Sequence, residues 1–233
     1  MYRQIGASGS FGGHGRLAAA DLAVAQSGQL DALLAIERLA LRLNYARNQE
    51  IYAEGDPGGY WYKVVSGAVR VFKFLADGRR YLAQFCFAGD CFGFEGTDER
   101  LFSAEAVSNA VVLRLPRHAT ERLVDQNPAA ARALRETMLR DLANAYGRML
   151  RLGRMTAAAR VAAFLIEMAE RSDRRKKLDL PMPRNDIADY LGLTIETVCR
   201  VLSSFKRNGI IAIPSAHSIE ICDRRALDLA ADT

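Results

Sequence analysis

The residues from Pro183 to Ile211, PRNDIADYLGLTIETVCRVLSSFKRNGII, leave few ways to fold. Two short runs with helical spacing meet at Leu191-Gly192-Leu193. A glycine there takes the left-handed backbone that ends one helix and lets another begin at once. In the second run Val198, Val201, Leu202 and Phe205 form one apolar stripe. Glu196, Cys199, Arg200, Ser203 and Arg207 form the opposite, polar one. Thr194 is placed to cap this helix, with Thr197 three residues on, where a capping-box partner sits. Ala188 is small where the first helix must meet the second. Helix, glycine turn and helix with an apolar inner face make a helix-turn-helix. The stretch that follows, IIAIPSAHSIEICD, reads as two short strands, a wing.

The remaining sequence frames this motif. From Arg47 to about Leu115, short runs rich in Val, Phe and Tyr alternate with turn signals such as EGDPGG, SG, DG and GD. That spacing predicts many short antiparallel strands, a barrel or roll. Asp77-Gly78, between VRVFKFL and YLAQFCF, marks a hairpin. Asn127-Pro128 then stops the strands and opens a helix, with proline in the first turn. That helix runs for several turns without an internal proline, and Met138, Leu142, Ala145, Met149 and Leu152 recur along it at steps of four and three. Such a narrow stripe is a coiled-coil seam; packing of the helix on its own domain is the competing reading. Residues 1 to 28 lack an apolar period and are expected to be a mobile tail. LDALLAIERLALRL, with Leu30, Leu33, Leu34, Leu39 and Leu41, is expected to be a short helix leading into the first domain. Helix resumes beyond Thr156 through Arg171, and RSDRRKKLD is expected to be a charged loop. The fold class is therefore α+β: tail 1–28, β-roll 29–126, dimerisation helix 127–155, and winged helix-turn-helix 156–233.

In a helix-turn-helix the N-terminal part of the second helix enters the DNA major groove. Arg200 then suits a bidentate contact with guanine O6 and N7, and Glu196 suits acceptance from cytosine N4. An isolated helix would instead pair the two at i,i+4. With Ile195 and Thr197 beside the stripe, the DNA-binding set is Ile195, Glu196, Thr197, Cys199, Arg200, Ser203 and Arg207. The net charge of +5 is compatible with DNA but does not single it out.

These residues carry a resemblance. EGDPGGYWYKVVSGAVRV, AGDCFGFE, FSAEAV and DIADYLGLTIETVCRVLSSFKRNGII resemble the cyclic-AMP receptor/FNR superfamily of bacterial transcription factors, and most of all its FixK branch. The resemblance covers roughly residues 30 to 225. It implies a homodimer that binds double-stranded promoter DNA, an inverted repeat of TTGA…TCAA type, and that engages RNA polymerase as an activator. FixK-like regulators are associated with microaerobic respiration and nitrogen fixation. The family's base-reading positions fall on Glu196, Cys199 and Arg200. Ile195 stands where the cyclic-AMP receptor type carries Arg. Cys199 stands where the FNR type usually carries Ser, which makes it a candidate redox switch beside its plainer reading as a small groove residue.

An effector is not required by the sequence. FNR members hold an iron–sulfur cluster through N-terminal cysteines, and the four cysteines here, at 86, 91, 199 and 222, begin too late and form no CxxC pair. Cyclic-nucleotide members need an Arg-Ser or Arg-Thr pair and a Gly-Glu step. Phe102 precedes Ser103 here, and Glu95 follows Phe94 rather than Gly93. An apolar ring does not neutralise a phosphate, although nearby Arg100 is a possible substitute. For haem the axial candidates are His14, His118 and His217, of which the last two read as solvated loop residues. The expectation is a regulator without cofactor or metal, and a ligand-gated regulator (cyclic nucleotide or haem) is the alternative. No nucleophile–base set, phosphate-binding glycine loop or acid pair points to an enzyme. The chain lacks a run long enough to span a bilayer and a signal-peptide pattern, so the cytoplasm is the expected location.

Overall fold

A computed structural model describes residues 35–172 and 176–232. The expected tail, and Leu30, Leu33 and Leu34 of the expected leading helix, lie outside these residues. Residues 35–37 of that stretch are helical as expected, whereas Leu41 is the first residue of a strand. The run LRLNY pairs its whole length with residues 110–114, and that ladder outweighs the weak helical period.

Eight antiparallel strands form the roll: β1 (Leu41–Tyr45), β2 (Glu50–Tyr52), β3 (Tyr60–Ser66), β4 (Ala68–Phe74), β5 (Arg80–Phe87), β6 (Cys91–Phe92), β7 (Ser103–Ala106) and β8 (Ala110–Pro116). They make two four-stranded sheets, in the orders β1-β8-β3-β6 and β2-β7-β4-β5. Tyr62, Val64 and Val112 from one sheet meet Tyr52, Val69, Val71 and Cys86 from the other in a shared core, with Phe92 stacked on Tyr62 at 5.1 Å. The chain changes sheet at Ser66-Gly67. Gly67 has φ +82, and a β-carbon there would lie 2.3 Å from the Asn109 carbonyl oxygen, so no side chain fits. The hairpin marked by Asp77-Gly78 is present. Phe74 pairs with Arg80, and Leu75 N–H donates to the Arg79 carbonyl at 2.8 Å across the turn.

Helices α1 (Arg117–Gln126) and α2 (Pro128–Arg154) follow. Asn127 caps α2, its side chain accepting from the N–H groups of Ala129 and Ala130 at 3.0 and 3.1 Å. Then come α3 (Ala157–Arg171), β9 (Lys177–Asp179), α4 (Arg184–Leu191), α5 (Ile195–Arg207), β10 (Ile211–Ser215), β11 (Ser218–Ile221) and α6 (Arg224–Ala231). Part of the expected charged loop is thus a strand: β9 pairs with β11, placing Leu178 opposite Ile219 in the core. The wing strands β10 and β11 complete that three-stranded sheet.

The C-terminal domain rests on the roll. Phe85 of β5 lies 5.1 Å from Tyr190 of α4 and 6.5 Å from Phe164 of α3, ring centre to ring centre. Phe72, Leu82 and Phe85 thereby share one core with α3, α4 and α5.

Candidate nucleic-acid interface

Three side chains hold the start of α5. Thr194 Oγ1 accepts the Thr197 N–H at 3.3 Å, and the two threonine hydroxyls lie 3.1 Å apart. The turn before it uses Gly192 at φ 61, ψ 41, whose N–H bonds back to the Ala188 carbonyl. Arg160 of α3 secures the same corner. Its guanidinium donates to the carbonyls of Leu191 (3.1 Å), Leu152 (2.8 Å) and Met155 (3.1 Å). The end of α2 and the turn of the helix pair are thus joined through one side chain.

The inner face of α5 buries Val198, Leu202 and Phe205, while Val201 is half-buried. Glu196, Cys199, Arg200, Ser203 and Arg207 are all exposed. At about 100° of turn per residue these five fall within about 100° of arc. Ile195 flanks them on one side, 38% exposed, and half-buried Thr197 on the other. Lys206, beside the stripe and also exposed, is a cation that the sequence reading passed over.

The competing i,i+4 pairing of Glu196 with Arg200 is absent among the described residues. Arg200 Nη2 donates to Thr197 Oγ1 at 3.3 Å, one turn back. The Glu196 carboxyl is held below the usual carboxylate range by its own backbone N–H and by the Thr194 hydroxyl. It folds onto the helix N-terminus, where orphan donors and the helix dipole favour negative charge, and leaves the guanidinium without an anionic partner among the described residues. Cys199 has a neighbour from the other helix: Arg184, at the first position of α4, is close enough to feel a charge on its sulfur. Burial pushes Arg184 below the usual arginine range, and a Cys199 thiolate would raise it. Arg184 was absent from the sequence-based set because only the docking of the two helices brings it there.

The wing tip is anchored. His217 Nδ1 lies 3.1 Å from the Leu180 carbonyl, and the His217 carbonyl accepts the Leu180 N–H at 2.7 Å. His217 is, as expected, an exposed turn residue, with one ring nitrogen turned to that carbonyl. His118 is not a loop residue: it stands in the first turn of α1, with its side chain 85% exposed.

A second candidate site is a cavity of about 410 Å³ between the roll and α2, lined among others by Tyr81, Phe94, Phe102, Ala145, Arg148 and Leu152. No histidine lines it among the described residues. Ser103, the counterpart of the phosphate-holding hydroxyl, accepts the Glu54 N–H at 2.9 Å. Arg100 does not supply the missing cation. Its side chain is 1% exposed and paired with Glu95 at 2.8 Å. It also donates to the carbonyls of Gly93 and Tyr60, and its guanidinium lies 4.3 Å over the Tyr52 ring. Among the described residues no group of three or more His, Cys, Asp or Glu is placed to hold a metal ion.

The expected seam of α2 divides between two faces. Met138, Leu142 and Met149 are exposed, at 36, 46 and 67%. Ala145 and Leu152 are half-buried and, with Met149, line the cavity against the roll. Leu139, Tyr146 and Leu150, at 56, 57 and 69%, complete the outer stripe in their place.

Residues 159–229 match the Crp-like helix-turn-helix domain family, and residues 42–127 match the cyclic nucleotide-binding domain family. The chain is 41% identical over 188 residues to the nitrogen fixation regulation protein FixK of Azorhizobium caulinodans, covering 78% of this chain and 76% of that one. It is 40% identical over 183 residues to the FixK of Rhizobium meliloti, covering 78 and 83%. The solved structure of FixK2 from Bradyrhizobium japonicum superposes with a TM-score of 0.78 at 40% identity, covering 82% of this chain and 96% of that one.

Proposed function

Because this chain belongs to the cyclic-AMP receptor/FNR superfamily of DNA-binding transcription regulators, in its FixK-like branch, we propose that it works as a homodimer reading an inverted repeat of TTGA…TCAA type. One observation carries this reading: a capped helix presents Glu196, Cys199, Arg200, Ser203 and Arg207 together to solvent, with Arg200 free of any carboxylate of the described residues. Arg200 reads the G of each half-site, and Glu196 the C of the complementary strand. Two such helices held about one turn of DNA apart require a palindrome. Lys206 and Arg207, at the end of α5, are suited to phosphates, which position without specifying. The protein acts in the cytoplasm as an activator, through contact with RNA polymerase. Its target genes belong to microaerobic respiration and nitrogen fixation, the process in the names of its FixK relatives.

The same reading holds that no effector is needed. Phe102 stands in the cavity, Ser103 is bonded to the backbone and Arg100 is committed within the roll, so a cyclic phosphate finds none of its expected partners. Gating by a ligand remains the second reading because the cavity itself is present. Control through Cys199 is also proposed. The thiol is exposed on the reading stripe and sits near Arg184. Attack of its thiolate on peroxide forms an S–O bond, breaks the O–O bond and releases hydroxide. The sulfenic acid adds bulk where DNA must approach closely, and further oxidation to sulfinate adds charge.

Selection from a random duplex library, with and without reductant, tests these points together. The expected product is the inverted repeat, enriched only under reducing conditions. Arg200→Ala should bind it roughly 1–3 kcal/mol more weakly and lose preference at the G. Equal affinity of that variant for the selected site would remove Arg200 from the reading. Cys199→Ser should bind and keep its affinity after peroxide; equal inactivation of both proteins would clear Cys199 of the role.

A further inference from the structure

Asp186, in the first turn of α4, is 1% exposed, and both of its carboxylate oxygens bond across to the roll. Oδ2 accepts from Arg70 Nη1 at 2.6 Å, and Oδ1 accepts from Arg80 Nη2. Arg80 Nε also donates to Asp189 Oδ2, one turn along α4, at 2.8 Å. Arg70 is braced from its own side, with Nε and Nη2 donating to Glu105 Oε2 at 3.1 and 2.7 Å. Among the described residues, every side-chain partner of Asp186 thus belongs to β4 or β5, more than 100 residues away in sequence. A buried carboxylate stripped of its partners is strongly disfavoured, so Asp186 is satisfied only while the helix pair is docked.

Docking does not hide the reading surface, since the stripe on α5 stays exposed in this arrangement. What docking fixes is direction. Helices α4 and α5 share one buried core through Ile187, Ala188, Val198 and Leu202 and move together. Holding the start of α4 against the roll therefore fixes the tilt of α5 relative to α2. In a dimer built on α2, that tilt sets the distance between the two reading helices.

We propose that Asp186, gripped by Arg70 and Arg80, is a positioning residue for DNA reading: it sets the half-site spacing that the dimer accepts, without touching DNA. The proposal rests on the DNA-reading function above, and the experiment separates the two. The full chain, Asp186→Asn and Arg80→Gln are titrated against duplexes whose half-sites are one base pair closer or further apart than the selected spacing, and against a single half-site. Arg80 lies on the roll, so its replacement leaves the helix pair's own packing untouched. Both variants are expected to bind the single half-site within about twofold of the unaltered chain and to lose the spacing preference. Retention of the original spacing ranking by either variant overturns the proposal. So does loss of single half-site binding by Asp186→Asn alone, which would make Asp186 a folding residue. An unaltered chain with no preference for the half-site sequence overturns the DNA-reading function beneath it instead.

Discussion

Arg100 was a possible stand-in for the missing phosphate cation, and only its surroundings decide the matter. It sits in the roll core between Glu95 and two carbonyls, over Tyr52. Sequence supplied the charge and its position but not its direction, because a side chain of that length reaches either way. Added cyclic AMP or cyclic GMP is therefore expected to leave both melting temperature and DNA affinity unchanged; a dose-dependent rise in either would restore the gated reading. Arg100→Met would strand Glu95, whose side chain is 12% exposed, and should cost about 3–5 kcal/mol in denaturant unfolding. Asp141 of α2 offers a test in pH. Burial, then Asp90 nearby, pushes its carboxyl from 3.8 up to about 6. The folded chain thus holds this proton more tightly than the unfolded one. Asp141 contributes stability at acid pH that is lost as pH rises from about 4 through 6. Asp141→Asn should remove that slope and raise stability at pH 7.5 by about 1 kcal/mol, the partial exposure of the group reducing the full effect. A variant with the unaltered pH slope would show that the shift lies elsewhere.

Among the elements, α2 shows what periodicity conveys and where it stops. Its 3,4 spacing was legible, yet two apolar stripes with that spacing lie side by side on it. The roll takes up Ala145 and Leu152, Met149 lies at the rim of the same cavity, and the outward stripe runs through Leu139, Leu142, Tyr146 and Leu150. A period fixes that a helix is amphipathic; which stripe faces outward depends on what the rest of the chain covers. Met149→Asp and Tyr146→Asp should both sediment as monomers and bind DNA at half-site level, since each puts a charge into an apolar seam. An unchanged sedimentation profile for both would take this stripe out of the dimer. The helix pair and wing were readable because cap, glycine turn and apolar face agree locally. Four other elements, α1, β1, β9 and α6, escaped that reading. Helix α6 has eight residues and buries one leucine, Leu227, too little pattern to stand out. Strand β9 is three residues that become a strand only beside β11.

At the scale of the whole molecule, the join between roll and helix pair had no local signature, because Phe85 meets Tyr190 and Arg70 meets Asp186 across more than 100 residues. That join should make unfolding a single event. Phe85→Ala removes the roll's ring from its cluster with Phe164 and Tyr190, at a cost of about 3–5 kcal/mol, and calorimetry should then resolve two transitions where the unaltered chain gives one. A single transition in the variant would mean that the domains are coupled by other means. Arg160 adds a mechanical consequence. With one guanidinium clamped on the end of α2, the start of α3 and the turn before α5, the junction is a stiff lever rather than a swivel. A stiff lever stores little elastic energy, so any misfit between protein and duplex is taken up by the duplex. Bases between the half-sites should then matter although no side chain touches them: spacers with pliant TA or CA steps should bind more tightly than A-tract spacers of equal length. Arg160→Met should flatten that difference, the compliance having moved from the nucleic acid into the protein.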